Sequence, residues 1–315
     1  MTKAKVFRLI AVLMVLLALA GCAAQTAIEP EPVEEVSVND ATGVIVLADI
    51  DADDPINKIE EMQPIIDYLA VNLGDYGIGV GEVKIAPDLD TVIQWLATGE
   101  VDLLYDSPYP AAIANAEAGA QPIARGWRGG EPVYHSVFFT RADSGIETLD
   151  DLAGQTVAYD DPASTSGFLL PTAFLIENGF TATEVRSPSS SVSDDEVGYV
   201  FSGDDANTIE WVLSGRVGAG IVDNLTYVDS IPEETRTNLL VVAETEDIPR
   251  RFIMARSDLD PELVAAIQQL LVNMENDPLA EDLLATLKTK RFDLFEDPQA
   301  TLDQMQELLA LVENQ

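Results

Sequence analysis

Two periodicities of apolar residues alternate along the chain. Residues 44–48 form a continuous apolar run, which predicts a buried strand with a turn beginning at Asp49. Residues 57–73 carry apolar side chains at helical spacing, with Pro64 as a kink or restart. Patterns of these two kinds continue to residue 312. The chain is therefore predicted to have a mixed α/β fold.

One helix–strand unit occurs twice. Residues 93–101 align without a gap with residues 209–217, and each copy runs from a helix through a glycine into an apolar strand. In the first copy we expect Asp90 to cap the helix and Gly99 to end it. Because the copies are far apart, they predict two similar α/β lobes rather than one sheet. The alternative is that glycine-terminated helices leading into strands are simply common.

Two segments are suited to connect the lobes. Residues 133–140 form a long strand-like run, and a second crossing is expected near residues 241–249. Amphipathic helices at residues 261–274, 278–288 and 300–312 are expected to pack on the first lobe. The predicted domains are residues 41–137 with 247–315 for the first lobe, and residues 138–246 for the second.

The N-terminal residues are predicted to lie outside this core. Basic residues precede an apolar run over residues 9–20, which is followed by Gly21 and Cys22. This is the pattern of an export signal at residues 1–21. Residues 19–22 resemble the bacterial lipobox, in which Cys22 becomes the lipid-carrying first residue of the mature protein. Residues 22–40 then form an acidic tether to the outer face of the cytoplasmic membrane or within the periplasm.

Charge and composition exclude several classes of function. The chain carries 55 acidic and 17 basic residues, for a net charge of −38, which argues against a nucleic-acid partner. Any anion site must therefore be locally rich in donors. Because the chain has one cysteine and one histidine, no disulfide or zinc site is predicted, and no cofactor. Four acids between residues 49 and 60 match calcium-loop spacing, but Asp54 stands where that loop needs glycine.

The richest candidate site is the stretch of residues 161–171. It contains the hydroxyl triplet Ser164, Thr165 and Ser166, between a short predicted strand and a helix that ends before Gly179. Free N–H groups, three hydroxyls and the positive end of a helix dipole suit an oxyanion. The plain alternative is that one hydroxyl only caps the helix.

Polar residues also follow other predicted strands. Ligands of open α/β sheets bind beyond the carboxyl ends of strands. This rule places Asp49, Asp106, Ser107 and Tyr109 at the mouth of the first lobe. It places the hydroxyl triplet and Asp223 at the mouth of the second, so that two mouths face each other across a cleft.

The chain as a whole resembles the periplasmic phosphonate/phosphite/phosphate-binding proteins of ABC importers. The resemblance rests on residues 161–171, 99–109, 134–137 with 144–152, and 203–207, and it extends over nearly all of the mature chain. It implies a two-lobed periplasmic-binding-protein clamshell of type II-like topology with two crossover hinge segments. It also implies a non-enzymatic protein that delivers a phosphorus oxyanion to an ABC permease and ATPase.

The resemblance implies roles for particular residues. The triplet and its amides would hold the oxyanion, and Asp223 would accept hydrogen bonds on the far side of the ligand. Asp106 stands where some relatives have tyrosine, and Asp204 where they can have histidine. These departures leave phosphite or phosphate at least as well supported as an aminoalkylphosphonate. The full set of expected ligand contacts is Ser164, Thr165, Ser166, Tyr105, Asp106, Ser107, Tyr109, His135, Asp204 and Asp223.

Some assignments stay open at this point. Arg125 and Arg128 either offset the ligand charge or are surface residues of a glycine-rich turn, while Trp127 and Tyr134 either wall the site or belong to the core. The rival functions are a clamshell receptor for another small ligand, a partner of a sensor kinase and a phosphate-ester hydrolase. The hydrolase is disfavoured because neither a metal cluster nor a base-paired nucleophile is visible in the sequence.

Overall fold

The computed structural model describes residues 41–51 and 54–315. The predicted export signal, Cys22, the tether and Asp53 of the calcium-type spacing lie outside the described residues. Within these residues no helix is both long enough and apolar enough to span a bilayer.

The described residues contain fourteen strands. In chain order they are β1 (Gly43–Ile50), β2 (Ile78–Ala86), β3 (Leu103–Asp106), β4 (Gln121–Arg128), β5 (Val133–Tyr134), β6 (Ser136–Arg141), β7 (Thr156–Tyr159), β8 (Thr181–Glu184), β9 (Glu196–Phe201), β10 (Ala219–Asp223), β11 (Leu239–Glu244), β12 (Ile248–Pro249), β13 (Phe252–Ala255) and β14 (Thr289–Asp293). The last of these, β14, lies between the predicted helices at residues 278–288 and 300–312, where no strand was predicted.

The same residues contain ten α-helices. They are α1 (Pro55–Asn72), α2 (Leu89–Thr98), α3 (Pro108–Ala118), α4 (Leu170–Glu177), α5 (Asp205–Leu213), α6 (Asn224–Asp229), α7 (Glu233–Arg236), α8 (Pro261–Asn273), α9 (Glu281–Thr286) and α10 (Pro298–Glu313). Helix α1 continues through Pro64 as one element. The predicted cap Asp90 is wrong: Asp88, with an extended backbone, accepts the Thr91 N–H at 2.8 Å and starts α2.

The strands form two six-stranded sheets. The first has the order β14-β4-β13-β3-β1-β2 and the second β11-β6-β10-β7-β9-β8. Apolar clusters pack on both, for example Ile45 with Ile66 on the first sheet and Phe138 with Val157 on the second. We call each sheet with its helices a lobe. The two-lobed α/β architecture agrees with the sequence prediction, and the exact domain boundaries stay a prediction.

The two crossings between the lobes run side by side. The predicted long strand is interrupted at His135, so that β5 and β6 are separate elements. Strand β5 pairs in antiparallel fashion with β12, with Tyr134 opposite Ile248 and Val133 opposite Pro249. This small ribbon joins the outgoing and returning chains. Rotation of one lobe against the other must therefore pass through it.

The sequence repeat occupies equivalent positions in the two lobes. Helix α2 ends at Gly99, with φ of 72°, and leads to β3, while α5 leads through Gly215, with φ of 71°, to β10. The left-handed conformation favours glycine at both positions. Asp88 and Asp204 cap the two helices in the same way. Each lobe thus presents one copy of the unit.

The last helix contacts both lobes. Gln306 Nε2 in α10 donates to Ala112 O in α3 at 2.9 Å. Beyond the helix, the Gln315 side-chain amide both donates to and accepts from the Ala182 backbone in β8. The helix therefore packs on the first lobe, as expected, and in addition reaches the second lobe. Its apolar face, which includes Leu302, also meets Leu170 of the second lobe.

Candidate functional site

The hydroxyl triplet lies at the start of a helix with a widened first turn. Residues Thr165–Leu169 form a π-helical turn that continues directly into α4, with Leu169 N donating to Ser164 O at 3.1 Å. Pro171 has no N–H to donate, and the regular helix begins at Leu170. The N–H groups of Thr165 and Ser166 belong to the first turn, where no helical carbonyl precedes them.

The three hydroxyl groups have different surroundings. Ser164 Oγ accepts the Gly167 N–H at 3.0 Å and caps the turn, as the plain alternative for this stretch predicted. Buried Thr165 Oγ1 accepts the Tyr109 N–H at 2.9 Å and donates to Ser107 Oγ at 2.9 Å, which joins the lobes. The hydroxyl of Ser166 has no hydrogen-bond partner within the described residues.

Arg250 and Tyr134 bring further donors to the turn. Each side chain belongs to a residue that is only 5% exposed, and the guanidinium lies 4.7 Å from the Tyr134 ring centroid. Arg250 Nη2 donates to Asp223 Oδ1 at 3.2 Å. Arg250 Nη1 and Tyr134 Oη are buried without a hydrogen-bond partner in the described part of the chain, and Tyr134 faces Thr165.

Such unpaired donors are costly. A buried donor that lacks an acceptor loses roughly 1–3 kcal/mol. Burial raises the pKa of Tyr134, so its phenol keeps the proton and acts as a donor. The structure therefore concentrates unpaired donors beside the hydroxyl turn.

Three carboxyl groups line the strand ends of the second lobe. Asp223 caps α6, and Arg250 together with bonds from Leu225 and Thr226 holds its pKa below the usual value, although burial acts in the opposite direction. Burial, reinforced by Asp223, raises the pKa of Asp205 to about 6. Burial, reinforced by Asp205, raises the pKa of Asp160 to about 8.

The first lobe has a buried carboxyl pair with its own cations. Asp49 is 1% and Asp106 8% exposed. Arg251 Nη1 donates to Asp49 Oδ2 at 3.2 Å and to Tyr105 O at 3.3 Å, and Lys58 Nζ lies 3.6 Å from Asp49 Oδ2. Burial, reinforced by Asp49, raises the pKa of Asp106 to about 7. Both carboxylates raise the pKa of Arg251 although burial acts to lower it, so the guanidinium stays charged.

The structure brings together only part of the predicted set. Thr165 contacts Ser107 and the Tyr109 N–H, and Asp223 joins the same region through Arg250. Asp204 is exposed and accepts the Asn207 N–H at 2.6 Å, because an N-cap side chain folds back on its own helix. The neighbouring Asp205 is less exposed and faces Asp223 and Asp160.

Two predicted aromatic contacts belong mainly to the protein interior. Tyr105 is 2% exposed, and its hydroxyl shares a hydrogen bond with Thr289 Oγ1 at 3.0 Å. The same hydroxyl lies against Gly126, where a Cβ would overlap it. The Tyr109 side chain is half-buried, and its pKa is raised by burial and then by the charges of Glu313 and Asp90. Only its backbone N–H reaches Thr165.

His135 faces the crossings rather than the hydroxyl turn. Its Nδ1 lies 2.7 Å from Asp247 Oδ1, and its Nε2 lies 3.7 Å from Glu244 Oε1. Both acids belong to the returning crossing. The prediction of His135 as a ligand-facing donor therefore does not agree with its position, since the interruption between β5 and β6 turns the ring toward that segment.

The two arginines left open by the sequence have separate roles. Arg125 donates to both carboxylate oxygens of Asp293, at 2.9 and 2.6 Å, and so joins β4 to β14. Arg128 is half-buried and its charge opposes the pKa increase of Asp205 across the cleft. Trp127 stacks with arginine side chains.

Four residues of this region were not predicted from the sequence. Arg250 and Arg251 follow the second crossing directly, and adjacent arginines in so acidic a chain were the signal that could have identified them. Asp160 adjoins Asp161, and Asp205 adjoins Asp204. No local sequence pattern shows which acid of each adjacent pair is the less exposed one.

The chain is similar to known proteins of one family. Residues 52–300 match the family model described as ABC transporter, phosphonate, periplasmic substrate-binding protein. The chain is also similar to the phosphate-import protein PhnD of Mycolicibacterium smegmatis, with 29% identity over 241 residues, which cover 74% of this chain and 72% of that protein.

Solved structures with the same fold include XAC2383 from Xanthomonas citri. Bound to a chloride ion, it has a TM-score of 0.82 and 28% identity, and bound to ATP a TM-score of 0.80 and 27% identity, with 87% of this chain and 99% of that chain covered in both cases. PhnD1 from Prochlorococcus marinus (MIT 9301), in complex with methylphosphonate, shares the fold with a TM-score of 0.67 and 17% identity over 86% of this chain and 98% of its own.

Proposed function

The chain belongs to the phosphonate-binding family of periplasmic substrate-binding proteins of ABC transporters, and we propose that it captures phosphite, phosphate or a phosphonate between its two lobes. Proteins of this family bind and deliver solutes for transport and are not enzymes. The partners of the chain are accordingly the permease and ATPase of an ABC importer.

The observation that carries the proposal is the pair of unpaired buried donors. Arg250 Nη1 and Tyr134 Oη have no acceptor in the described part of the chain, and Thr165 lies beside Tyr134. An oxyanion that accepts from both would remove their desolvation cost. The N–H groups of the turn and the Ser166 hydroxyl supply further donors on the second-lobe side.

The charges around the cleft support an anion despite the acidic chain. Four basic side chains and six carboxyl groups surround it: Lys58, Arg128, Arg250 and Arg251, with Asp49, Glu61, Asp106, Asp160, Asp205 and Asp223. Burial raises the pKa of three of these carboxyl groups, Asp106, Asp160 and Asp205, to about 7, about 8 and about 6. When Asp106 and Asp160 are protonated, the four cations balance the four remaining carboxylates, although the chain as a whole carries −38.

The predicted residues take unequal parts in this proposal. Ser166, the turn amides and Arg250 contact the oxyanion directly. Thr165 holds the lobes together through Ser107, and Asp223 orients Arg250 and can accept a proton-bearing ligand oxygen. Asp106 lies at the first-lobe side, where its protonated form would donate to the ligand.

A second candidate ligand is a nucleotide. A cavity of about 620 Å³ is lined by three cations, Lys58, Arg128 and Lys288, and by four acids, Asp51, Asp54, Glu60 and Glu61. XAC2383, which has been solved with ATP, is a similar protein. A nucleotide would place its phosphate groups against the three cations, whereas the smaller oxyanions would leave this cavity to solvent.

The main test is calorimetry on the protein truncated after Cys22, with phosphite, phosphate, methylphosphonate, 2-aminoethylphosphonate and ATP. We expect heat from at least one of the four small oxyanions. Tyr134→Phe and Ser166→Ala should each weaken binding about tenfold, because each removes one hydrogen bond to a charged group. Ser187→Ala, in a distant loop, serves as the control. No heat from any small oxyanion in low or high salt would contradict the proposal.

We further propose that Cys22 carries the lipid that anchors the protein. The support is the sequence pattern alone: an apolar segment over residues 9–20 that ends in small residues before the single cysteine. Mass spectrometry of the membrane fraction should find a diacylglyceryl-modified Cys22. Cys22→Ser should leave an unprocessed or released protein, and unchanged membrane retention of a processed form would contradict the lipid anchor.

A further inference from the structure

Asp160 lies directly behind the hydroxyl turn. Its Oδ1 accepts the Asp161 N–H at 2.7 Å, and its carboxyl group lies beside the Ser164 hydroxyl, which as a donor acts to lower the pKa of Asp160. The same carboxyl lies against Gly167, where any Cβ would overlap Oδ1. Ser164 Oγ in turn accepts the Gly167 N–H. Glycine at this position is thus required because the Asp160 carboxyl occupies the space of a side chain.

The surroundings of Asp160 are acidic. Asp161, the next residue, and Asp205 of α5 face it, and no ion pair to its carboxyl group exists within the described residues. Asp205 itself faces Asp223, Asp204 and, as the cation, Arg128. An ionised Asp160 would repel both Asp205 and an oxyanion at the turn. Burial, reinforced by Asp205, raises the pKa of Asp160 to about 8.

The state of Asp160 decides what the Ser164 hydroxyl can do. A hydroxyl group has one hydrogen to donate and can accept two hydrogen bonds. When Asp160 is ionised, Ser164 must donate its hydrogen to the carboxylate. When Asp160 is neutral, its O–H donates to Ser164 Oγ, which also accepts from Gly167 N, and the Ser164 hydrogen becomes free for a ligand.

We propose that Asp160 is a positioning residue of the anion site, which in its neutral form turns the Ser164 hydroxyl toward the oxyanion and in its ionised form withdraws it. This inference rests on the proposed function. It adds that binding requires a proton on Asp160, although Asp160 does not contact the ligand. The affinity therefore falls as the pH rises through the titration of Asp160.

The test compares the wild-type protein with Asp160→Asn, using phosphate and methylphosphonate as probes from pH 6 to pH 9. The asparagine amide donates permanently to Ser164 Oγ and cannot ionise. The ratio of the two affinities removes the ionisation of the ligand and of Asp106. We expect equal affinities at pH 6 and about tenfold tighter binding by Asp160→Asn at pH 9, one unit above the titration.

A matched pair of variants shows whether the effect passes through the serine. In a Ser164→Ala background, adding Asp160→Asn should change the pH profile much less, because only the direct repulsion between the Asp160 carboxylate and the oxyanion remains. The inference would be overturned if the full tenfold difference persisted in that background, or if the wild type and Asp160→Asn had parallel pH profiles. Either result would leave the proposed function standing. Absence of binding by either protein at pH 6 would overturn the proposed function and this inference with it.

Unfolding without ligand provides an independent readout. A carboxyl group whose folded pKa is raised stabilises the fold fully below its unfolded value, and this stability is lost as the pH rises through the folded value. The wild type should therefore lose stability relative to Asp160→Asn between pH 4 and about 8. Equal pH dependence of the two melting curves would also overturn the inference.

Discussion

The two lobes place carboxyl groups at the same ends of their strands but neutralise them differently. In the first lobe, Asp49 and Asp106 lie beside Arg251, at the start of a strand of the same sheet. In the second, Asp223 pairs with Arg250 from the returning crossing, and Asp205 faces Arg128 of the first lobe.

Because of this difference, charge pairing in the first lobe bears on the stability of the fold, whereas charge pairing in the second lobe bears on closure of the two lobes. The first lobe holds its charges with its own cations, so their pairing belongs to the stability of the fold. The second lobe depends on cations from outside it, so its charges are compensated only when the lobes meet. The triplet Ser164–Ser166 belongs to the second lobe. The electrostatic field at the hydroxyl turn therefore depends on how the two lobes close.

Replacement of Arg251 by alanine should have the largest effect, and on stability. Asp49 and Asp106 would be left buried without their guanidinium, and loss of one partner of a buried ion pair costs about 3–5 kcal/mol. Denaturant unfolding at pH 8 should show this loss. The loss should be smaller at pH 5, where Asp106 is protonated, since burial raises its pKa to about 7.

The control for this variant is Lys84→Ala. It removes a more exposed ion pair with Glu100 and should cost at most about 1 kcal/mol. Similar losses in the two variants would show that the first-lobe cluster contributes no more than a surface pair.

Replacement of Arg250 by alanine should act on binding more than on folding. The ligand would lose a charged donor and Asp223 its cation, and such losses cost roughly 2–5 kcal/mol, or about 100-fold in affinity. Calorimetry with phosphate and methylphosphonate measures the change. Arg125→Ala is the matched control, because Arg125 is held by Asp293. Its affinity should stay close to wild type, and an unchanged affinity of Arg250→Ala would remove the distinction between the lobes.

The smallest effects are expected at the two repeated glycines. Alanine at Gly99 or Gly215 must adopt a left-handed conformation, which costs about 1–2 kcal/mol. At Gly99 the space around the new Cβ is open, whereas at Gly215 it would overlap the Arg141 guanidinium. Unfolding should therefore show a larger loss for Gly215→Ala. The reverse order would mean that the second-lobe copy tolerates the change by moving Arg141.

Much of the fold was determined by local sequence. Apolar periodicity predicted the strand at 44–48 and the helix around Pro64, and the helix–glycine–strand repeat appeared in equivalent places of the two lobes. These features depend on backbone hydrogen bonds and on residues a few positions apart. The hydroxyl-rich stretch before a helix was visible for the same reason.

The charge arrangement could not be predicted in this way. Asp204 and Asp205 are adjacent acids, and only packing shows that the first caps a helix while the second faces Asp223. Likewise the pairing of Arg250 with Asp223 joins a crossing to a strand end. Periodicity shows on which face of a helix or strand a residue lies. It does not show which residues of other elements pack against that face.

The sequence by itself thus determined two α/β lobes, the hydroxyl turn and the resemblance to phosphorus-oxyanion receptors. Only the tertiary structure decided which donors lack partners and which carboxyl groups stay protonated. The physical reason is that desolvation and Coulomb interaction depend on distances between atoms of remote segments. Those distances are set by how the lobes close.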